Sequence, residues 1–256
     1  MIKTDKHVQL EVGKLTYRLV PVTEEIIRVI VSGKEIQEAQ DSLIIEKKEY
    51  PKTDFSVEET ENTVTVKTAK VWAELNTVSG DITWKHPDGS EWLFQKKPEL
   101  TKTDVIHYNT GNEKPVINRV KTVDGERNFI QNLKAEKVRS AYRGKMFFSW
   151  KEDEEIHGLG QAEEGIYNYR GHCQYLYQHN MRIPMPVLVS TEGYGILVDC
   201  CSLMTFNDDL KDSYLFLDTI EQLDYYFMGG GTMDAVIHDY RYLTGKAQML
   251  PKWAYG

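Results

Sequence analysis

Thr63-Val64-Thr65-Val66-Lys67, followed by Val71-Trp72-Ala73-Glu74-Leu75, decides the fold of this chain. Val64 and Val66 fall on one face of the first segment. Val71, Ala73 and Leu75 share a face of the second, with Lys70, Trp72 and Glu74 opposite. Side chains alternate across an extended strand, so this period of two marks a sheet with one face in the core. Turn-forming residues punctuate the pattern at Glu61-Asn62, Pro87-Asp88-Gly89 and Asp124-Gly125. Many short strands with frequent turns predict an antiparallel sandwich or barrel. The stretch from about Gln95 to Arg127 is polar and alternates poorly, which reads as long loops. There is no Gly-, Pro- or Ser-rich linker and no internal repeat.

One segment departs from the period of two. Met233, Val236, Ile237, Tyr240 and Leu243 follow the three-to-four spacing of a helix with one apolar stripe. Thr232 suits its N-cap, Gly245 suits a left-handed C-terminal residue, and Pro251 follows soon after.

The chain has 256 residues, enough for one large or two small domains, and its composition of 41% hydrophobic and 27% charged residues is that of a globular protein. A net charge of -8 without a Lys/Arg cluster argues against nucleic acid or an anionic membrane as a partner, because both bind through neutralising basic residues. No stretch approaches the roughly 20 apolar residues of a transmembrane helix, and the segment opening Met1 to His7 has no apolar core of signal-peptide length. The three cysteines, Cys173, Cys200 and Cys201, are an odd number and include an adjacent pair. A disulfide framework is not expected, and a cytoplasmic location fits best. Cys200 and Cys201 read as small buried apolar groups.

Several local motifs invite a chemical reading and do not sustain it. Gly158-x-Gly160 lacks the third glycine of a dinucleotide loop, since position 163 is Glu. It reads as a tight turn of small residues. Gly229-Gly230-Gly231 has no Lys or Ser/Thr at P-loop spacing and reads as a turn entering the helix. Glu152-Asp153-Glu154-Glu155 reads as a solvated hairpin, because neighbouring strand residues point to opposite faces and cannot pair their carboxyls. Seven histidines include no HxH, HExxH or zinc-finger spacing, so no metal site is expected.

The remaining motifs form an ordered set. Gly158-Leu159-Gly160-Gln161 leads to Asn168-Tyr169-Arg170-Gly171. Ile183-Pro184-Met185-Pro186-Val187-Leu188 leads to Gly193-Tyr194-Gly195-Ile196-Leu197. Leu223-Asp224-Tyr225-Tyr226-Phe227 leads to Tyr240-Arg241-Tyr242-Leu243-Thr244-Gly245 and Leu250-Pro251-Lys252-Trp253-Ala254-Tyr255-Gly256. In this order they resemble the N-terminal part of glycoside hydrolase family 31, the retaining α-glucosidases, α-xylosidases and relatives. The resemblance is specific from about Ala141 onward. It implies a galactose-mutarotase-like antiparallel β-super-sandwich over residues 1–230. Residues 231–256 would supply a linking helix and the connection to a (β/α)8 catalytic barrel, at which the chain stops.

The activity so implied is hydrolysis or transfer of a terminal α-linked glucosyl or xylosyl unit by two barrel carboxylates. No catalytic residue falls in this chain, and no cofactor is needed. Its partners would be an oligo- or disaccharide substrate and its own barrel. The surface facing that barrel, with Trp253 and part of the helix stripe, would favour association into a homo-oligomer. The strand ending at position 161 runs toward the active-site face in this family and commonly ends in Glu; Gln161 cannot serve as an acid or base there.

Tyr177-Gln178-His179-Asn180-Met181-Arg182 is the best candidate for substrate contact. It lies between an expected strand, 174–177, and the apolar segment 184–189. Amides and hydroxyls suit sugar recognition because they donate and accept in fixed directions, and the rings of Tyr169 and Tyr177 suit the apolar face of a pyranose. The substrate-binding residues expected are Tyr169, Gln178, His179 and Asn180. Asn180 stands where the family usually has Asp, which keeps the size and removes the charge. Arg170 is expected to order its loop by a bidentate pair with Asp199 or Asp224. Three alternatives remain at this point: a free-standing carbohydrate-binding module, a mutarotase-type aldose epimerase using His107 or His157 with Glu163-Glu164, and a purely structural domain with no substrate contact.

Overall fold

The computed structural model describes residues 1–37, 42–46, 49–208 and 211–255. Gly256, which closes the last quoted motif, lies outside the described residues. The chain opens with strands β1 (Ile2–Lys3), β2 (Val8–Val12), β3 (Leu15–Pro21) and β4 (Ile26–Ser32). Strands β5 (Ser56–Glu59), β6 (Thr63–Lys67), β7 (Trp72–Asn76), β8 (Ile82–Lys85) and β9 (Glu91–Gln95) follow as a meander. Then come β10 (Glu99–Asn109), β11 (Ile117–Thr122), β12 (Gly125–Ile130) and β13 (Lys134–Phe148). The last group is β14 (Ile156–Gln161), β15 (Cys173–Leu176), β16 (Ile183–Ser190), β17 (Gly195–Val198), β18 (Met204–Asp208), β19 (Ser213–Ile220) and β20 (Leu223–Met228). Helix α1 (Met233–Thr244) closes the fold, ahead of a short 3-10 turn at Lys252–Tyr255.

The period-two stretch folds as its pattern requires. Val64 and Val66 of β6 are buried, as are Val71 and Ala73 and Leu75 at β7, and the two strands pair antiparallel with Val66 opposite Ala73. All three turn signals lie between paired strands, at β5–β6, β8–β9 and β11–β12.

Three sheets make a large antiparallel sandwich. An eight-stranded sheet has the order β1-β2-β3-β4-β20-β17-β16-β14. Facing it are the five-stranded β5-to-β9 meander and a second five-stranded sheet in the order β10-β13-β19-β18-β15. A bridge between Phe94 and Ser149 joins these two. One continuous core fills the space between the layers. The eight-stranded sheet sends in Tyr17, Val29, Ile196 and Phe227; the meander sends in Val66, Leu75 and Trp84; the third sheet sends in Met146, Phe206 and Leu217. At its centre the Phe227 ring stacks on Trp84 at 4.0 Å and on Tyr194 at 5.3 Å, geometry that adds to the gain from burial.

Strand β20 shows why the eight-stranded sheet reads as almost wholly apolar. Leu223, Tyr225 and Phe227 enter the main core, while Tyr226 and Met228 face a second cluster on the outer side. Helix α1 covers that cluster with Val236 and Leu243, whose burial stabilises the docking by about 2 kcal/mol each. Thr232 caps the helix, its side chain accepting from the Ala235 amide at 3.2 Å. Gly245 ends it with a positive φ but extended ψ, not the left-handed helical pair. The stripe itself is rotated from the expected one: Val236, Asp239 and Leu243 are buried, and Met233 and Ile237 are exposed.

The polar stretch from Gln95 to Arg127 is not loop. It builds β10, β11 and the start of β12. Strand β10 pairs along its whole length with β13, and beyond Asn109 and Lys134 the chain forms the separate hairpin of β11 and β12. Both faces of that hairpin are exposed, so nothing forces apolar alternation, and backbone pairing alone sets the strand geometry.

Candidate functional site at the junction of the sheets

Between β15 and β16 the chain leaves one layer of the sandwich and enters the other. The crossing segment, 177–182, turns tightly: the Arg182 amide donates to the His179 carbonyl at 3.2 Å, and Met181 has φ +64°. Opposite it lies the end of β14, the edge strand of the eight-stranded sheet, where Gln161 pairs with Ile183. These two lips enclose an open depression of about 920 Å³. Its lining includes Gln161, Glu163, Gln178, His179, Asn180 and Arg182. An ion pair between Arg182 and Glu164 ties one lip to the other. The Arg182 Nε is buried and has no hydrogen-bond partner.

The end of β14 reaches this position through an irregular ladder. Gly158, Leu159 and Gly160 all have positive φ, at 104°, 57° and 91°, and the pairing with β16 slips between Gly158 and Gly160. A Cβ on Gly158 would lie 2.2 Å from the Val187 carbonyl oxygen, and one on Gly160 would lie 2.0 Å from that of Ile183. The paired glycines therefore permit a bulge pressed against β16. The feature expected to be a tight turn is a deformed strand.

The expected site residues separate into two groups. Gln178, His179 and Asn180 come together on one lip, all exposed. Tyr169 is elsewhere: it is 2% exposed, lies within the main core and packs edge-on against Phe206 at 6.3 Å. Its ring faces are covered by protein, which removes it as a stacking surface for a sugar. Arg170 also departs from expectation, because its partner is neither Asp199 nor Asp224. Its Nε donates to Asp208 at 3.2 Å and its guanidinium donates to the carbonyls of Lys151 and Glu154 at 2.8 and 2.6 Å. Asp224 instead takes a two-pronged pair from Arg28, at 2.8 and 2.5 Å.

Two further sequence expectations change with burial. Glu154, read as part of a solvated acidic run, is 2% exposed. It accepts from Ser190 Oγ at 2.6 Å, from the Lys151 amide at 2.8 Å and from the Tyr194 hydroxyl. Tyr194 keeps its proton, since burial first and then the Glu154 charge push its pKa well above the usual value. Of the adjacent cysteines, Cys201 is exposed, while the Cys200 thiol reaches the carbonyls of Gln222 and Asp224 at 3.7 Å and its pKa is pushed up by burial.

Chemically, the depression offers carboxamides, an imidazole and one carboxylate, Glu163, among the described lining residues. That set donates and accepts hydrogen bonds in fixed directions. Arg182 belongs to the segment that the sequence singled out, and it lines the depression together with Glu163; Tyr175, one strand position before Leu176, was not singled out. The signal for Tyr175 was present: Cys173-Gln174-Tyr175-Leu176-Tyr177 alternates, with Gln174 and Leu176 buried and Tyr175 and Tyr177 exposed.

No protein-family model matches the chain. An alpha-xylosidase of Saccharolobus solfataricus is 36% identical over 135 residues, which is 49% of this chain and 18% of that protein. The whole chain superposes on 41% of the GH31 alpha-xylosidase of Xanthomonas citri, with a TM-score of 0.79 and 17% identity. The chain's homologues are alpha-xylosidases and an isomaltosyltransferase matched over part of their length, and GH31 enzymes match its fold from end to end, as expected of a fragment of such an enzyme. A second family 31-like neighbour in fold is a cycloalternan-forming enzyme from Listeria monocytogenes, solved with a pentasaccharide substrate; 99% of this chain covers 22% of it, with a TM-score of 0.70 and 19% identity. The chain spans less than half the length of each of these proteins. The antiparallel sandwich with its C-terminal helix thus has the fold of the matching part of the GH31 alpha-xylosidase of Xanthomonas citri.

Proposed function

We propose that this chain is the non-catalytic N-terminal module of a retaining α-glycosidase that hydrolyses or transfers terminal α-linked glucosyl or xylosyl units. In this reading residues 1–230 form the sandwich, and 231–256 form a linking helix and connection to a (β/α)8 barrel. The observation that carries it is the depression at the junction of the sheets, whose rim of Gln178, His179 and Asn180 offers hydroxyl groups donors and acceptors in fixed directions. Retaining hydrolysis requires two carboxyl groups about 5–5.5 Å apart, and among the described residues lining the depression Glu163 alone carries one. The module would wall one side of the substrate pocket and lower the barrier by positioning. An exposed apolar surface including Met233, Ile237 and Trp253 supports contact with the barrel or self-association. Three free thiols suit a reducing, cytoplasmic compartment.

The test compares this chain with the same chain joined to a family 31 catalytic barrel, on p-nitrophenyl α-glucoside and α-xyloside. Turnover is expected only in the joined protein, and there Asn180→Ala should raise KM several-fold with a smaller change in kcat. Turnover by the chain alone would overturn the proposal and direct attention to Glu163. The epimerase alternative draws no support from the positions of its candidates. His107 lies on the exposed part of β10, His157 contacts Glu155 at 3.2 Å, and Glu164 is held by Arg182.

A further inference from the structure

His179, on the rim of the depression, is in ring contact with residues outside it. Tyr175, on the outer face of the second five-stranded sheet, and Tyr177 and His179, in the crossing segment, form a chain of ring contacts with planes inclined at 49° and 24°. Their ring centroids are 5.9 Å apart from Tyr175 to Tyr177 and 6.2 Å apart from Tyr177 to His179. Tyr175 is 44% exposed and Tyr177 is 52% exposed. The arrangement follows from the strand itself: β15 buries Gln174 and Leu176, so its odd-numbered residues point outward, and β15 is an edge strand with open space beside it. Thr205 lies opposite Tyr175 in the neighbouring strand, and Phe216 lies opposite Thr205 in the next. Both are half-buried on the same outer face.

Exposed rings grouped in this way offer apolar faces on which a ligand can stack. Their spacing is close to the length of one pyranose unit in a chain. The row begins at a polar rim suited to sugar hydroxyls, and a hydroxyl (Thr205) flanks it. We propose that Tyr175, Tyr177 and His179 form a platform for consecutive units of an oligosaccharide whose end sits in the depression. This rests on the sugar-binding reading of the depression and extends it: the ligand class is a chain of at least three units, not a mono- or disaccharide. Tyr177 and His179 stack beneath the units nearest the depression, and Tyr175 meets the most distant one.

The experiment is titration calorimetry on this chain with glucose and with malto- and isomalto-oligosaccharides of two to four units. Affinity is expected to climb with chain length for one of the series. Tyr175→Ala should weaken the three- and four-unit ligands about tenfold and leave the two-unit ligand unchanged. Tyr175→Phe, which keeps the ring, should retain the length dependence. Because Tyr175 is exposed on an edge strand, the thermal midpoint of both variants should match the parent. Length dependence that survives Tyr175→Ala overturns the platform, and if Asn180→Ala then abolishes binding the depression alone holds the sugar. Length dependence lost in Tyr175→Ala but untouched by Asn180→Ala sustains the platform and removes the depression. No binding of any saccharide overturns both.

Discussion

Gly160 concentrates the residue-scale argument. Its φ of +91° is reached readily only by glycine, and the Ile183 carbonyl oxygen occupies the place of a side chain. Gly165 shares a positive φ of +66° but faces open space. Gly160→Ala should therefore cost at least about 3 kcal/mol, because backbone strain and a clash with backbone add together. Gly165→Ala should cost about 1 kcal/mol, from the left-handed conformation alone. Urea denaturation of the two variants checks this; equal losses would mean that β16 yields and that the close approach is not what selects glycine. The motif was legible in the sequence as a small-residue feature, but the oxygen that enforces it comes from more than 20 residues away in the chain. The same holds for Glu154. Its acidic neighbours suggested solvent, and only folding brings Ser190 and Tyr194 to its carboxylate.

At the scale of the element, helix α1 carries a charge on the face that it buries. Asp239 is 6% exposed, and its Oδ2 has no hydrogen-bond partner. Desolvation pushes its pKa up; Glu25 adds to this, while His238 on the same helix and Lys70 from the strand side oppose it. A carboxyl with a raised folded-state pKa binds its proton more tightly when folded, so this residue costs stability above its folded pKa. The cost is relieved as pH falls through that value and is gone below the unfolded value of 3.8. Asp239→Asn should raise the thermal midpoint at about pH 7, and its advantage over the parent should shrink toward zero near about pH 4. An advantage that does not vary with pH would show that the charge is not the cause. The sequence placed the helix correctly from its 3.6-residue period and Thr232 cap. Val236, Tyr240 and Leu243 of the expected stripe pack on the sheet, while Met233 and Ile237 are exposed and Asp239 is buried instead.

At the scale of the whole molecule, the sandwich and its arm are mechanically separate. Residues 110–133 lie beyond the last β10–β13 pair, Asn109 with Lys134, and both faces of the β11–β12 hairpin are exposed. An isolated two-stranded hairpin is marginal in water, and it adds nothing to the core. Limited proteolysis should cut first within 110–133. Replacing that segment by an Asn-Gly turn should change global stability by less than about 0.5 kcal/mol. A sharp fall in the unfolding midpoint would show that the arm is part of the cooperative unit.

The sequence by itself determined the class of the fold, because alternation and turn residues act between near neighbours and survive any arrangement of the sheets. It also determined the family resemblance and the polar segment Tyr177 to Arg182. The tertiary structure alone decided that the Tyr169 ring is closed to a ligand. Tyr169 and Tyr177 sit in comparable sequence contexts, yet one is sealed against Phe206 and the other stands open beside Tyr175. Burial depends on what the opposite layer brings to each position, and that is set by contacts between residues far apart in the chain.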